Sequence, residues 1–375
     1  MTHLLVTNDY PPKIGGIQSY LWELWRRLPS ERTLVLTIDQ PGARAFDAAA
    51  PHEIERLGVR MLWPTRRLAA RIRAVAAARG ASLVVLDPAL PVGLVGPQLG
   101  IPYAVVLHGS EVTVAGRLPV TSRLLRRVLV GADLVIAAGG YAAGEARRCA
   151  EGDLPEVVIV PPGVDVGRFH PLDREEVAAV RRRFGFSERG RLVVAVSRLV
   201  PRKGFDVLIE ASAELGHDRP DLTTAIVGAG RDARRLESLA KRLGAPVRFL
   251  GPVSDGDLPG LVGAADVAAM LCRTRWGGLE QEGFGIVFLE AAAAGVPQVA
   301  GRSGGSHEAV VDGVTGLIVD RPGDAVVATK ALASLLDDEE LRHRLGASAR
   351  RRAVAEFDYD GLAARLDAAL RAAER

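Results

Sequence analysis

The sequence predicts an α/β protein made of two doubly wound parallel-sheet domains. Short apolar runs recur along the whole chain, and stretches of helical periodicity separate most of them. The composition is 48% apolar but only 5% aromatic, rich in Ala, Val, Leu and Gly, as suits parallel strands buried on both faces. At 375 residues the chain is also too long for one ordinary core, so two domains are expected.

Leu4–Thr7 reads as the first strand. It runs into Asn8-Asp9-Tyr10-Pro11-Pro12-Lys13-Ile14-Gly15-Gly16, followed by an amphipathic helix from Ile17 to about Leu28. A glycine pair at a helix start lets a ligand approach the backbone; it also serves a turn that needs positive φ, and both readings stand. Trp22 and Trp25 are read as core. Further strands are expected near Thr33–Ile38, Val59–Trp63, Leu83–Asp87, Tyr103–His108, Asp133–Ala137 and Val157–Val160. Ligands of such sheets bind at the carboxyl ends of the strands. His108 stands at one, before Gly109-Ser110-Glu111, where it either donates to a substrate hydroxyl or phosphate or simply caps the strand.

Pro161–Asp165 closes the first alternation. A polar, Arg-rich helix (Arg174–Phe184) and a turn at 185–190 follow, which places the domain junction near residue 170 and the domains at 1–170 and 171–356. The second half repeats the pattern, with strands near Leu192–Val196, Thr223–Val227, Val247–Leu250, Val267–Leu271, Pro297–Ala300 and Gly316–Val319. After the first of these, Arg198 and Lys203 flank a tight loop. Two cations at a strand's carboxyl end match a diphosphate, Arg by bidentate contact and Lys as a point charge; a solvated charged loop is the plainer alternative. Gly228-Ala229-Gly230-Arg231-Asp232-Ala233 fits a dinucleotide-binding pattern, but the next strand ends Phe249-Leu250-Gly251 without the acid that holds a ribose. That counts against an NAD-dependent oxidoreductase. Asp255-Gly256-Asp257 is read as the start of a short helix rather than a metal site.

The most informative stretch is Arg273–Glu290. It follows the apolar run Val267–Leu271, passes through four glycines and opens an Ala-rich helix at about Phe284–Ala294. Strand, glycine loop and helix start present amides and a positive dipole end to an anion. Glu282 and Glu290 bracket the helix start. Eight helical residues rise about 12 Å, which suits the two acids to two parts of one extended ligand.

Two cysteines, Cys149 and Cys272, form no CxxC, which argues against a disulfide framework or zinc site and for a reducing cytoplasm. The N-terminus lacks a basic region before its first apolar run, so no signal peptide is expected, and no apolar run is long enough for a membrane span. Net charge is only +3, with arginines clustered locally.

Taken together, Gly15-Gly16, His108-Gly109, Pro162-Gly163-Val164-Asp165, Ser197-Arg198-Leu199 with Lys203-Gly204, Val227–Gly230 and Glu282-x7-Glu290 resemble glycosyltransferase family four. These are retaining enzymes of the GT-B fold, with two Rossmann-like domains facing a central cleft. Thr7–Lys13 with Gly15–Tyr20, and Cys272–Arg275 with Glu282-Gly283, are similar to the actinobacterial group in the family that uses GDP-mannose and phosphatidylinositol mannosides. Ser110 is a departure, since that group carries His there.

The resemblance implies that about 357–375 rejoins the N-terminal, acceptor-binding domain. It implies that Arg198 and Lys203 hold the donor diphosphate with backbone amides near Gly285, Ile286 and Val287, and that Gly283 and Phe284 also belong to the donor site. Glu290 would take the ribose and Glu282 a sugar hydroxyl. Gly15 and Gly16 would face the diphosphate, His108 the reacting sugar, and Val253 the base. His108, Glu282, Arg198 and Lys203 form the implied catalytic set. Asn8, Asp9, Tyr10, Lys13 and Gln18 are expected on the acceptor side. No cofactor and no metal are implied beyond the nucleotide sugar, GDP-mannose, and no nucleic-acid partner. A UDP-sugar or a soluble acceptor is the alternative.

Arg60–Arg73 combines Trp63, aliphatic residues and five arginines, and Arg123, Arg126 and Arg127 form a second basic cluster. Arg66, Arg67, Arg71 and Arg73 read as a surface for anionic lipid, or as a solvated helix face. A peripheral enzyme on the inner face of the cell membrane is the expectation.

Overall fold

The computed structural model describes residues 2–373, Ser110 by its backbone alone. The chain divides into two compact units. One runs up to Gly163 and resumes from Tyr359; the other is Val164–Asp358.

The first unit holds β1 (Thr2–Thr7), β2 (Thr33–Ile38), β3 (Glu53–Leu57), β4 (Ala81–Asp87), β5 (Tyr103–Leu107), β6 (Leu134–Ala137) and β7 (Glu156–Ile159). They form a parallel sheet in the order β3-β2-β1-β4-β5-β6-β7. The helices are α1 (Gly16–Trp25), α2 (Ala43–Ala49), α3 (Arg66–Arg79), α4 (Ser110–Arg117), α5 (Pro119–Val130) and α6 (Gly140–Cys149). Alternation along the strands builds two cores. Leu4, Val6, Val84 and Leu86 pack with Ile72 of α3 and Val128 of α5, whereas Leu5, Val35 and Val85 pack with Leu21, Leu24 and Trp25 of α1. Trp22 packs at the edge of the second core.

One expected strand is misplaced. Val59–Trp63 is a loop, and the strand is β3, just before it. β3 is a sheet edge whose charges are met from outside: Glu53 by Arg79, Glu55 by Arg71, and Arg56 by Asp47. Such an edge carries no apolar run, while the loop after it does. Val59, Met61 and Trp63 are in fact exposed; only Leu62 is buried.

The second unit holds β8 (Leu192–Val196), β9 (Thr223–Val227), β10 (Val247–Gly251), β11 (Val267–Met270), β12 (Gln298–Gly301) and β13 (Gly316–Val319), parallel in the order β10-β9-β8-β11-β12-β13. Its helices are α7 (Arg174–Arg183), α8 (Phe205–Asp218), α9 (Ala233–Leu243), α10 (Leu258–Gly263), α11 (Ile286–Ala293), α12 (Ser306–Ala309), α13 (Ala325–Asp337) and α14 (Glu339–Glu356). Caps set several helix starts: Asp173 and Glu176 form a capping box on α7, and Asp324 and Asp338 accept first-turn amides of α13 and α14.

The units part at Gly163/Val164 rather than near residue 170. The reason is a bridge between the outgoing and returning chain. The Val164 N–H donates to the Phe357 carbonyl at 2.8 Å, and Val164 pairs with Asp358. The last helix, α15 (Tyr359–Ala373), then puts Tyr359, Leu362, Leu366 and Leu370 into the core beside α1. Among the described residues no helix is long and apolar enough to cross a membrane.

Candidate functional site

In the first unit the strand order reverses between β1 and β4, where doubly wound sheets bind ligands. Thr7 and Asp87 are register partners at the ends of these strands. Asp87 is fully buried. One carboxylate oxygen accepts from Thr7 Oγ1 at 2.6 Å, and the other meets His108 Nε2 at 2.6 Å. Thr7, Asp87 and His108 thus form a line across three adjacent strand ends. Tyr20 sets its ring edge-on to His108 at 5.4 Å and donates its hydroxyl to the Val160 carbonyl at 2.8 Å. Burial alone would lower the pKa of His108. The Asp87 charge and hydrogen bond, helped by Glu111 and Asp9, outweigh it and raise the pKa above the ordinary value. Glu111 Oε1 also accepts the amides of His108 and Gly109, at 2.5 and 3.2 Å. His108 is therefore more than a strand cap: it is an oriented imidazole with a buried counter-ion. Sequence reasoning missed Thr7, Asp87 and Tyr20. The only available signal for Asp87 was a carboxylate ending an apolar strand.

The loop after β1 is partly bonded to itself. Asp9 Oδ1 accepts from Lys13 Nζ at 2.6 Å and from Gln18 Nε2 at 2.5 Å. Gly15 has φ 165° and ψ 166°, extended backbone open to any residue, so positive φ is not why it is glycine. A Cβ there would collide with Gln18 Oε1. Two acceptor-side expectations are corrected. Tyr10 is fully buried against Trp22, Phe46 and His52, with its hydroxyl 2.8 Å from His52 Nε2, and cannot meet a ligand. Asn8 is spent on the backbone of Leu62, accepting its amide at 2.7 Å. On α3, Arg71 is bound to Glu55 at 2.5 Å and Arg73 to the Gln98 carbonyl at 2.9 Å; Arg66 and Arg67 are exposed.

In the second unit the order reverses between β8 and β11. The loops after these strands are pressed together. Gly204 has φ 70°, and a Cβ on it would strike the Leu271 carbonyl. Arg273 N–H donates to the Arg202 carbonyl at 2.8 Å. Side chains meet across this seam at Glu282. Its Oε2 accepts from Lys203 Nζ at 2.7 Å, Arg202 Nη1 at 3.0 Å and Cys272 Sγ at 3.4 Å. Ser303 Oγ accepts the Glu282 amide at 3.2 Å. Burial would raise the carboxyl's pKa, but Lys203 and then Arg202 overcome it and hold the carboxyl below its usual value. Lys203 and Glu282, expected to serve separate parts of a ligand, are therefore partners of each other in this state. Arg202 was missed because Lys203 beside it already filled the role sought. Arg198 is exposed at the carboxyl end of β8.

α11 begins after Gly285, with no side-chain cap and no acid in its first turn. The amides of Ile286 and Val287 at this helix start suit an anion. The Phe284 side chain is buried, 5.7 Å from the Phe357 ring, so only its backbone is left to meet a ligand. Val253 packs at the edge of a small cluster with Val194 and Leu261. Burial pushes the Glu290 carboxyl up to about 7, with Arg168 opposing and Asp255 reinforcing the shift. Glu290 thus shares its electrostatic surroundings with the segment expected to receive the base.

The glycines of the dinucleotide-like pattern have another use. A Cβ at Gly228 would strike the Ser197 carbonyl, and one at Gly230 the backbone of Leu199. They let the loops after β8 and β9 pack together. Among the described residues no group of three or more His, Cys, Asp or Glu is placed to hold a metal ion.

Residues 14–168 match the family model described as Glycosyltransferase Family 4, and residues 177–352 that described as Glycosyl transferases group 1. A GDP-mannose-dependent alpha-(1-6)-phosphatidylinositol monomannoside mannosyltransferase of Mycobacterium tuberculosis is 40% identical over 376 residues, covering 97% of this chain and 96% of that protein. A GDP-mannose-dependent monoacylated alpha-(1-6)-phosphatidylinositol monomannoside mannosyltransferase of Corynebacterium glutamicum is 37% identical over 369 residues, with 97% and 96% covered. Among solved structures, Anabaena HepE in complex with UDP matches with a TM-score of 0.84 at 22% identity, covering 99% of this chain and 100% of that one. WaaG, a glycosyltransferase involved in lipopolysaccharide biosynthesis, matches with a TM-score of 0.71 at 21% identity, covering 97% and 98%. At these identities the structures speak for the fold alone.

Proposed function

The chain belongs to glycosyltransferase family four and has the GT-B fold, and from that premise we propose that it transfers mannose from GDP-mannose to a phosphatidylinositol mannoside. The similarity that supports this donor and acceptor runs through 97% of the chain, at 37–40% identity, to two enzymes whose names specify both.

In this reading the second unit takes the donor. The diphosphate sits at the start of α11, on the amides of Ile286 and Val287, with Arg198 and Lys203 as counter-ions. Glu282 receives a hydroxyl of the transferred sugar, and Glu290 the ribose. The leaving diphosphate gains charge in the transition state, so fixed cations and amides aimed at it stabilise that state more than the ground state. Lys203 exchanges part of its bond to Glu282 for a phosphate oxygen, while Arg202 stays on the carboxylate. In the first unit His108, held by Asp87, serves as the donor to a substrate hydroxyl. The acceptor being a lipid, the enzyme works at the inner face of the cell membrane.

The test is product analysis after incubation of a phosphoinositide lipid extract with radiolabelled GDP-mannose and, in parallel, with radiolabelled UDP-glucose. A labelled lipid carrying one added mannose is expected. Label moving only from UDP-glucose, or only to a water-soluble product, overturns the assignment.

A further inference from the structure

The structure points to a membrane-docking face other than the one the arginines of α3 suggest. The segment 112–132 spans most of α4, all of α5 and the turn between them. It contains four arginines and no acidic residue. Its inward face is well anchored, with Val112, Leu125, Val128 and Leu129 buried in the first unit's core. Its outward face is unlike an ordinary solvated helix surface. Val120 is 71% exposed and Leu118 49%, and Leu124 lies one helical turn beyond Val120 and is also exposed. Arg123 and Arg127 are exposed on the same side, spaced with Val120 and Leu124 at helical three- and four-residue intervals.

Isolated exposed aliphatics are common and need no explanation. A row of them interleaved with arginines and free of acids is the pattern of an element that lies in a lipid headgroup layer, its apolar side chains entering the acyl boundary. α5 has 12 residues and spans about 18 Å, enough to lie along a membrane surface but not to cross it. Arg117 and Arg126 meet Glu145 and Glu151, so the charge offered outward is that of Arg123 and Arg127. On α3, Arg71 and Arg79 are neutralised by the acids of β3 and Arg73 is bound to a carbonyl, and no exposed aliphatic row accompanies them.

We propose that the outward face of α5 and the α4–α5 turn, centred on Leu118, Val120, Arg123, Leu124 and Arg127, seats the protein on a leaflet rich in anionic lipid. This rests on the reading of the acceptor as a membrane lipid and adds where the protein meets that membrane. The charge complement singles out the occupant. A second copy of this chain would bring the same arginines face to face, and a neutral apolar partner leaves them unexplained.

The test is flotation with phosphatidylcholine vesicles, with and without phosphatidylinositol, at low and high salt. Wild type is expected to float with the anionic vesicles and to be released by salt. Each arginine near a charged leaflet carries about 1 kcal/mol, so Arg123→Ala with Arg127→Ala should weaken binding roughly 30-fold. Val120→Ser with Leu124→Ser should weaken it comparably, and Arg66→Ala with Arg67→Ala hardly at all. These side chains are exposed, and thermal melts of the variants, with and without GDP-mannose, confirm folding and donor binding. The proposal fails if wild type ignores anionic vesicles, if the α3 variant falls as far as the α5 variant, or if light scattering shows the α5 variants only breaking a dimer. Wild type that ignores the vesicles yet transfers mannose to detergent-dispersed lipid would sink the docking face and leave the proposed reaction standing.

Discussion

Each unit carries an ion pair where its strand order reverses, and the two pairs are built with opposite intent. In the first unit a fully buried acid, Asp87, is the fixed element, and the group it holds forward is His108. In the second unit an acid, Glu282, is outnumbered by two cations bonded to one of its oxygens. One switch point orients a proton-bearing ring; the other gathers positive charge beside an uncapped helix start. In the proposed reading the same topology serves a hydroxyl-handling site and an anion site, and the side chains at the strand ends decide which.

The contrast can be broken most severely at Lys203. Lys203→Ala should lower kcat of mannosyl transfer on the order of 10²–10³, as removal of a donor to developing charge does. A fall in kcat below tenfold would take Lys203 out of the transition state. Next is Asp87→Asn, expected to cost about 10² in kcat/KM if His108 acts in proton handling. Asp87 raises the pKa of His108, so the limb of the pH profile that reports His108 should move to lower pH. Arg202→Gln should cost about tenfold, the scale of one charge-assisted hydrogen bond, because Lys203 remains. Arg202 helps hold Glu282 below its usual pKa, so here the acid limb should move to higher pH. Opposite displacement of the two limbs is the signature; equal displacement would erase the distinction between the sites.

The last effect concerns stability rather than rate. His3 and His52 are buried in the first unit and burial lowers both to about 4, whereas His170, His217, His307 and His343 of the second unit are exposed. Their folded pKa lies below the unfolded value of 6.5, so the unfolded chain takes up protons first as pH falls. Stability is complete above pH 6.5 and declines between 6.5 and 4, by up to about 1.4 kcal/mol per pH unit per ring. Hydrogen exchange across that window should show the first unit loosening before the second. Simultaneous loosening would mean that these rings do not limit it.

How much of this was legible in sequence followed from how local each cause is. Strands buried on both faces announce themselves as apolar runs, so β2, β8 and β9 fall where expected. β3 is an edge whose charges are answered by α2 and α3, and no local pattern marks it. Glu282 was legible because a glycine loop before a helix is a local arrangement. That Lys203 bonds to it is not, since the partners lie 79 residues apart. Asp87 looked like a strand end until β1 and β5 closed around it. Tyr10 sat among loop residues that suggested a ligand, and only the packing of α1 and α2 reveals it as core.

The bridge at Val164 and Asp358 has a consequence for biosynthesis. The first unit's core lacks α15 until the whole of Val164–Asp358 has been translated. At about 5–20 residues per second the ribosome needs roughly 10–40 s for that stretch. During this interval Leu21, Leu24 and Trp25 present an uncovered greasy groove to the cytosol. The nascent chain is then at its most vulnerable to holdases and to self-association, and a fusion that delays or obstructs the final helix should reduce yield well before it touches catalysis.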